Sequence, residues 1–244
     1  WDVLRLFGEL REGLRLFRQQ HGAQLDAIGV DTWGVDFALL GRNDVLLENP
    51  RHYRDPRTDG MMEAAFARVP REEIFAHTGA QFMKLNTLYQ LLALKTSDSP
   101  VLDMAQQLLM MPDLFNYFLT GRKVCEFTDA TTTQFYNPKE GRWATELLEK
   151  MELPTHILGE IVQPGTRLGE LLPELRDEAG LDPVQVIAPA THDTGSAVAS
   201  IPTSTPDYAY ISSGTWSLMG AELTEPRVDQ AVLAHNFTNE GGVG

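Results

Sequence analysis

The feature that most restricts the fold is an apolar run that ends in a His-Asp pair just before a small-residue segment. Residues 184–190 (VQVIAPA) are typical of a buried strand, and residues 196–200 favour a helix. Between them lies Thr191-His192-Asp193-Thr194-Gly195. Strands that alternate with helices are characteristic of the α/β class, so we expect an α/β fold.

The rest of the chain supports this class. Leu4, Phe7, Leu10, Leu14 and Phe17 recur at helical spacing in an amphipathic pattern. The sequence therefore predicts a helix over 1–20, a strand–turn–strand over 25–40, helices over 85–95 and 101–119, and another strand–turn–strand over 208–221.

A domain boundary is expected where prolines flank a Ser/Thr stretch, at Pro202 and Pro206. This divides the chain into a first domain over 1–190 and the start of a second over 191–244.

Composition excludes several classes of partner. The formal net charge of −14 argues against nucleic acid polymers and anionic membranes, which both select positive surfaces. No apolar run is long enough to span a bilayer, and no secretory signal opens the chain. Cys125 is the single cysteine and has no internal partner for a disulfide. We therefore expect a cytoplasmic location.

Asp193 is the strongest candidate for chemistry. A carboxylate at the first turn of a helix lies where the helix dipole favours an anion, and it can accept a proton from a hydroxyl that attacks phosphorus. An alternative role is purely structural, because aspartate is also a preferred N-cap residue. The local sequence leaves both roles open and by itself favours the cap.

A second candidate lies at the tip of the first strand–turn–strand. Trp33 offers an apolar face for a sugar ring, Gly34 permits close approach of a ligand, and Asp31 and Asp36 are able to bind hydroxyls. The alternative is a tight hairpin with Trp33 packed into the core.

Two further segments carry weaker signals. The turn Ser213-Gly214-Thr215 exposes backbone N–H groups and hydroxyls to which phosphate oxygens can bind, although most such turns are only turns. In the loop 53–57, Tyr53 and Arg57 are able to fix polyol hydroxyls, but such charged loops are commonly solvated surface.

Several other site types are missing from the sequence. It contains no GxxxxGK[ST] phosphate loop, no GxGxxG dinucleotide motif and no GxSxG nucleophile elbow. The six histidines and one cysteine show no zinc spacing, so no protein-held metal site is expected.

Eight segments, in this order, resemble the FGGY carbohydrate kinases, and they extend over nearly the whole chain. They are IGVDTWGVD (28–36), YRDPRT (53–58), NTLYQL (86–91), MPD (111–113), ATTTQ (130–134), THDT (191–194), SSGTWSLMG (212–220) and NEGG (239–242). Within the family they are most similar to the members that phosphorylate L-rhamnulose.

The resemblance implies an actin-like, ribonuclease-H-like fold in which two domains close on a cleft. Sugar is expected mainly on the N-terminal domain, here nearly complete, and ATP with Mg²⁺ mainly on the C-terminal domain, here only begun. ATP would phosphorylate the 1-hydroxyl of L-rhamnulose.

The same resemblance assigns roles to individual residues. It makes Asp193 the proton acceptor and places Gly34, His192 and Thr194 beside it in the sugar site. Thr215, next to Gly214, would belong to the phosphate-binding turn. Tyr53 and Arg57 would lie near the polyol, by a weaker transfer.

The resemblance leaves alternatives for the substrate and for the activity. The family's first strand and phosphate loop do not precede Trp1, so we expect a piece of a longer protein that is inactive alone. Other substrates for the same fold are L-fuculose, L-xylulose or another ketose or polyol. A non-catalytic, actin-like nucleotide-binding protein is the alternative outside enzymes.

Overall fold

A computed structural model describes residues 1–205 and 207–243. Two positions used above, Pro206 in the predicted interdomain stretch and Gly244 at the end of the predicted second domain, lie outside the described residues.

The chain alternates short strands and helices. The helices are α1 (Val3–His21), α2 (Met61–Phe66), α3 (Arg71–Thr78), α4 (Thr87–Thr96), α5 (Pro100–Met104), α6 (Met111–Thr120), α7 (Phe127–Ala130), α8 (Thr145–Lys150), α9 (Pro173–Ala179), α10 (Asp193–Ala199) and α11 (Gln230–Ala234). The strands are β1 (Ala27–Ile28), β2 (Phe37–Leu40), β3 (Gln107–Met110), β4 (Cys125–Glu126), β5 (Tyr136–Asn137), β6 (Arg142–Trp143), β7 (Ile161–Val162), β8 (Arg167–Glu170), β9 (Gln185–Ile187), β10 (Ala209–Ser213) and β11 (Ser217–Ala221).

The predicted strand 184–190 lies at the centre of a three-stranded sheet. Its regular part, β9, pairs in parallel with β1 and antiparallel with β8. Val184, Val186 and Ala188 are fully buried, as expected of a central strand. Helix α1 covers this core with Phe7, Leu10, Leu14 and Phe17, whereas Leu4 of the predicted stripe is exposed.

The segment 25–40 is not a hairpin, which corrects one sequence prediction. β1 pairs with β9, while β2 pairs antiparallel with β3, so the two strands belong to different sheets. Residues 31–36 therefore connect two sheets instead of forming a tight turn. The tight hairpin of that alternative is therefore absent, although Trp33 itself packs, partly buried, against the core cluster that contains Val3 and Leu114.

The single helix predicted over 101–119 is also wrong, because strand β3 interrupts it. Helix α5 ends at Met104, β3 follows, and α6 begins at Met111. Leu108, Leu109 and Met110 are buried on both faces of their sheet, and a short continuous apolar run of this kind suits a buried strand as well as a helix.

The predicted strand–turn–strand over 208–221 is present as the antiparallel pair β10–β11, with Ser213 opposite Ser217. Ile211 and Met219 face each other across this pair and are exposed. Farther along, α11 returns to the main core, where Leu233 is buried. None of the helices in the described residues is long and apolar enough to cross a membrane.

Candidate functional site

The loop that carries the His-Asp pair is fixed by the segment after β1. The amide of Thr32 donates to the carbonyl of Thr191 (2.9 Å), and the amide of Asp193 donates to the carbonyl of Thr32 (2.8 Å). Thr32 and His192 thus form a parallel bridge that continues the β1–β9 pairing. The arrangement brings the tip 31–36 beside the pair, as the family resemblance implied.

Asp193 is not a helix cap. His192 occupies the N-cap position and makes no side-chain capping bond, while Asp193 is the first residue of α10. The Asp193 carboxylate lies 3.7 Å from His192 Nε2 and 3.4 Å from Thr194 Oγ1. Its side chain is 57% exposed, so it is anchored through the backbone and free to meet a ligand.

Glu126 supports the loop from beneath, and no local sequence signal marks it. One oxygen, Oε2, accepts from the Thr191 amide (3.0 Å), the Thr191 hydroxyl (2.8 Å) and the Thr128 amide (3.0 Å), as well as from the Thr128 hydroxyl. Thr128 Oγ1 in turn accepts from the His192 amide (3.1 Å). Glu126 is completely buried, so it acts as an internal brace for the loop.

Two more buried carboxyls, Asp113 and Asp129, lie near this brace. Burial raises the pKa of the Asp113 carboxyl to about 8, although the Glu126 amide that donates to Asp113 Oδ1 opposes the shift. Burial likewise raises the pKa of Asp129 well above its ordinary value. Neither Asp113 Oδ2 nor Asp129 Oδ2 has a hydrogen-bond partner within the described chain, which fits protonated acids.

This burial predicts a pH-dependent stability for Asp113→Asn. The folded chain holds the Asp113 proton up to a pH of about 8, whereas an unfolded chain releases it near pH 4. Stability from this site is complete below the unfolded pKa and is lost as pH rises through the folded pKa. Asparagine stays neutral at all these pH values. The free energy of unfolding of Asp113→Asn should therefore rise relative to that of the wild type as pH increases from the unfolded to the folded pKa.

Urea unfolding of both proteins at several pH values measures this difference, with the exposed Asp182→Asn as control. A difference that stays constant with pH would show that Asp113 is not buried as an acid.

Gly34 is packed too closely for any side chain. A Cβ there would lie 2.8 Å from Thr132 Cγ2, below real contact distances. The next residue, Val35, has a φ of 66°, which is costly for a β-branched side chain. Its amide donates to Thr132 Oγ1 (3.0 Å) and its carbonyl accepts from Thr87 Oγ1 (2.7 Å), so the surroundings impose this conformation.

Trp33 and Tyr53 come together around Asp36. Trp33 Nε1 and the Tyr53 amide both donate to Asp36 Oδ2, at 3.0 and 3.2 Å. The Trp33 ring also lies against Trp1, with centroids 4.1 Å apart and the ring planes tilted by 33°. Asp36 itself is fully buried, which corrects the prediction that it binds ligand hydroxyls; Asp31 is exposed.

Arg57 lies behind this group. Its Nη2 donates to Gln90 Oε1 (2.6 Å), and Gln90 Nε2 donates to Asp36 Oδ1 (3.1 Å). Arg57 Nε is buried and has no partner in the described chain, so this guanidinium keeps a buried N–H group unpaired.

The predicted phosphate turn lies on the hairpin β10–β11. Gly214 and Thr215 are exposed at its tip, where the Gly214 amide donates to the Trp216 carbonyl (2.7 Å). The hairpin faces α10 across a cavity of about 220 Å³ that includes Val198, Ile201 and Tyr210 in its lining.

The segment that contains the NEGG motif also reaches the His-Asp pair. Glu240 Oε2 lies 3.6 Å from His192 Nδ1, so His192 stands between the carboxylates of Glu240 and Asp193. The Gly241 amide donates to Thr131 Oγ1 (2.9 Å), and a Cβ at Gly241 would lie 2.6 Å from the Phe127 ring. Residue 241 therefore has to be small for this contact.

The described residues contain no cage for a metal ion. No group of three or more His, Cys, Asp or Glu side chains in residues 1–205 and 207–243 is arranged to hold one. Mg²⁺ is commonly held by nucleotide phosphates and water with one or two carboxylates. The side chains of the described residues are therefore compatible with a Mg²⁺ ion that a nucleotide carries, and none of them is named as a ligand of that ion.

Comparison with known proteins identifies relatives over the full chain. The chain is 46% identical over 242 residues to the rhamnulokinase of Oceanobacillus iheyensis. This alignment covers 99% of this chain and 51% of that protein. It is 45% identical over 243 residues to the rhamnulokinase of Bacteroides thetaiotaomicron, covering 100% and 50%. The chain thus spans about half the length of the curated relatives it matches.

Solved structures share the fold. A ligand-bound xylulose kinase from Lactobacillus acidophilus superimposes with a TM-score of 0.85 at 24% identity, over 94% of this chain and 47% of that one. A gluconate kinase from the same organism gives a TM-score of 0.84 at 24% identity, with the same coverage. These matches confirm the predicted fold class.

The sequence pattern of the FGGY family of carbohydrate kinases, N-terminal domain, matches residues 1–200. Together with the alignments to rhamnulokinases, which extend over 99–100% of this chain, this match confirms the resemblance seen in the eight motifs. The chain belongs to the FGGY family of carbohydrate kinases.

Proposed function

We propose that the full-length protein that carries this chain is an ATP-dependent kinase that phosphorylates L-rhamnulose at its 1-hydroxyl. The observation that carries the proposal is the Asp193 carboxylate, exposed on a loop whose backbone is held by Thr32 and Glu126. Similarity to several rhamnulokinases supports the choice of sugar.

In the proposed reaction Asp193 acts as general base. It accepts the proton of the sugar 1-hydroxyl while that oxygen attacks the γ-phosphorus of ATP; the new P–O bond forms as the bond to the β-phosphate oxygen breaks and ADP leaves. Bound Mg²⁺ would supply charge neutralisation on the phosphates. Positioning contributes much of the rate, because the reacting oxygen and phosphorus must be aligned.

The remaining site residues take binding roles in this proposal. His192, Thr194 and Gly34 would line the sugar site beside Asp193, since the Thr32–His192 bridge holds their segments together. Trp33 would stack on the sugar, with Tyr53 and Arg57 toward its hydroxyls. Gly214 and Thr215 would contact phosphate oxygens from the exposed hairpin tip.

Domain limits and location belong to the same proposal. We place the sugar-binding domain at residues 1–190 and the start of the ATP-binding domain at 191–244. We place the protein in the cytoplasm, where ATP is available and the free thiol of Cys125 stays reduced.

A panel of ketoses tests the proposed substrate. ADP release by the full-length protein would be followed with L-rhamnulose, L-fuculose and L-xylulose, and kcat/KM compared. The proposal expects L-rhamnulose to be preferred by at least about tenfold, the factor that corresponds to about 1.4 kcal/mol. If another sugar is preferred, the proposed sugar kinase activity would stand and the proposed substrate would be replaced by that sugar.

A further inference from the structure

Asp36 is a fully buried carboxylate with four neutral donors. Its Oδ2 accepts from Trp1 Nε1 (2.6 Å), Trp33 Nε1 (3.0 Å) and the Tyr53 amide (3.2 Å). Its Oδ1 accepts from Gln90 Nε2 (3.1 Å). Donors from four separate places in the sequence thus converge on one side chain.

Such a group is costly to bury. Burial raises the pKa of Asp36, while the hydrogen bonds from Trp1, Gln90 and Trp33 counteract the shift. Two indoles and two amides share the charge, and the Arg57 cation reaches it only through Gln90. The charge is costly to bury even with four donors, and its two acceptor oxygens are what bring these four donors to one place.

The donors have one property in common, which is their place in the proposed sugar site. Trp33 and Tyr53 would contact the ketose, and Gln90 holds Arg57, the third proposed contact. Trp1 packs against Trp33 in a tilted arrangement, with centroids 4.1 Å apart, and stacks on His52 at 4.6 Å, so it forms a second layer behind the first. A shift of the Asp36 side chain would therefore displace Trp33, Tyr53, Gln90 and Trp1 together.

We propose that Asp36 is the positioning residue of the ketose site, which fixes Trp33, Tyr53 and the Gln90–Arg57 pair, with Trp1 as the supporting layer. This inference rests on the proposed kinase function. Asp36 touches no reacting atom; it sets sugar affinity through the groups it holds.

The isosteric variant Asp36→Asn tests this role in the full-length protein. An asparagine has one acceptor oxygen, so its amide faces either the indole donors or the Gln90 amide, and one set of hydrogen bonds is lost. We expect KM for the ketose to rise about tenfold, the factor for about 1.4 kcal/mol. We expect kcat and KM for ATP to stay within roughly threefold, a difference below about 0.7 kcal/mol.

A spectroscopic signal separates positioning from general damage. Close, tilted indoles such as Trp1 and Trp33 give an exciton couplet in far-ultraviolet circular dichroism, which Trp33→Phe should abolish and Asp36→Asn should reduce. The exposed Asp103→Asn is the matched control and should change neither the spectrum nor the kinetics. If Asp36→Asn does not fold, Trp1→Phe removes a single donor and should raise KM for the ketose about threefold, or about 0.7 kcal/mol.

The outcomes distinguish the two proposals. Absence of ketose-dependent ADP release by the wild-type protein would reject the kinase function itself. An active wild type, with KM for the ketose and the couplet unchanged in Asp36→Asn, would overturn the role of Asp36. An equal rise in both KM values would also overturn it, because the damage would then extend beyond the sugar site.

Discussion

Replacing Asp193 by asparagine should lower kcat by roughly 10²- to 10⁴-fold, the range that a general base contributes. Asparagine keeps the size and polarity of the side chain but cannot accept the proton of the attacking hydroxyl. The backbone bond from residue 193 to Thr32 is retained, so the loop should stay in place. Steady-state kinetics with L-rhamnulose and ATP measures the loss.

Ketose binding provides the control for this prediction. Calorimetry should show ketose affinity within a few-fold of wild type, because the sugar contacts assigned to Trp33 and His192 remain. The exposed Asp182→Asn, in the loop before strand β9, should leave kcat unchanged. Turnover retained in Asp193→Asn would remove Asp193 from the role of base.

Replacing Glu126 by alanine should cause the largest combined loss of stability and rate. Two buried amides, at Thr128 and Thr191, and their hydroxyls would lose their acceptor, at about 1–3 kcal/mol for each buried group left unpaired. A total loss of about 4 kcal/mol, the lower end for four such groups, lowers Tm by about 8–16 °C in a chain of this size. A loop displaced by 1 Å can cost about 10² in kcat. Thermal unfolding and steady-state kinetics measure the two effects.

A milder variant keeps this test informative when the alanine protein does not fold. Glu126→Gln retains one acceptor oxygen for the same four donors. Because a weakened hydrogen bond costs less than an unpaired buried group, this variant should lose less than a third of the stability that Glu126→Ala loses relative to wild type. Amide hydrogen exchange at Thr191 should accelerate in both variants. The exposed Glu149→Ala serves as control. Unchanged exchange at Thr191 would show that Glu126 does not brace the loop.

Local pattern was enough to predict the segments whose neighbours in sequence are also their neighbours in space. The strand before Thr191, the helix after it, and the hairpin β10–β11 all follow from runs of apolar, small and turn residues. The apolar stripe of α1 likewise predicted which face packs, apart from Leu4. The contact between the tip 31–36 and His192, in contrast, joins distant parts of the sequence, so its prediction required the family resemblance.

Long-range partners could not be predicted from the sequence. The bond from Thr191 to Glu126 joins residues 65 positions apart, and the bond from Gln90 to Asp36 joins residues 54 apart. Neither pair has a spacing that local rules recognise. The same limit explains strand β3, which only its pairing with β2 distinguishes from a helix. The prediction that Asp36 binds ligand hydroxyls was wrong. An acid near Trp33 suggests such a role, whereas the buried Asp36 carboxylate accepts hydrogen bonds from neighbouring protein groups.

Product analysis by ³¹P nuclear magnetic resonance tests the central claim most directly. The full-length protein would be incubated with ATP and L-rhamnulose, and with ATP alone. The proposal expects one sugar phosphate ester for each ADP, coupled to the two protons on carbon 1, with little ADP formed when the ketose is omitted. ADP formed equally without ketose, or nucleotide binding with no phosphorylated sugar from any ketose tested, would contradict it.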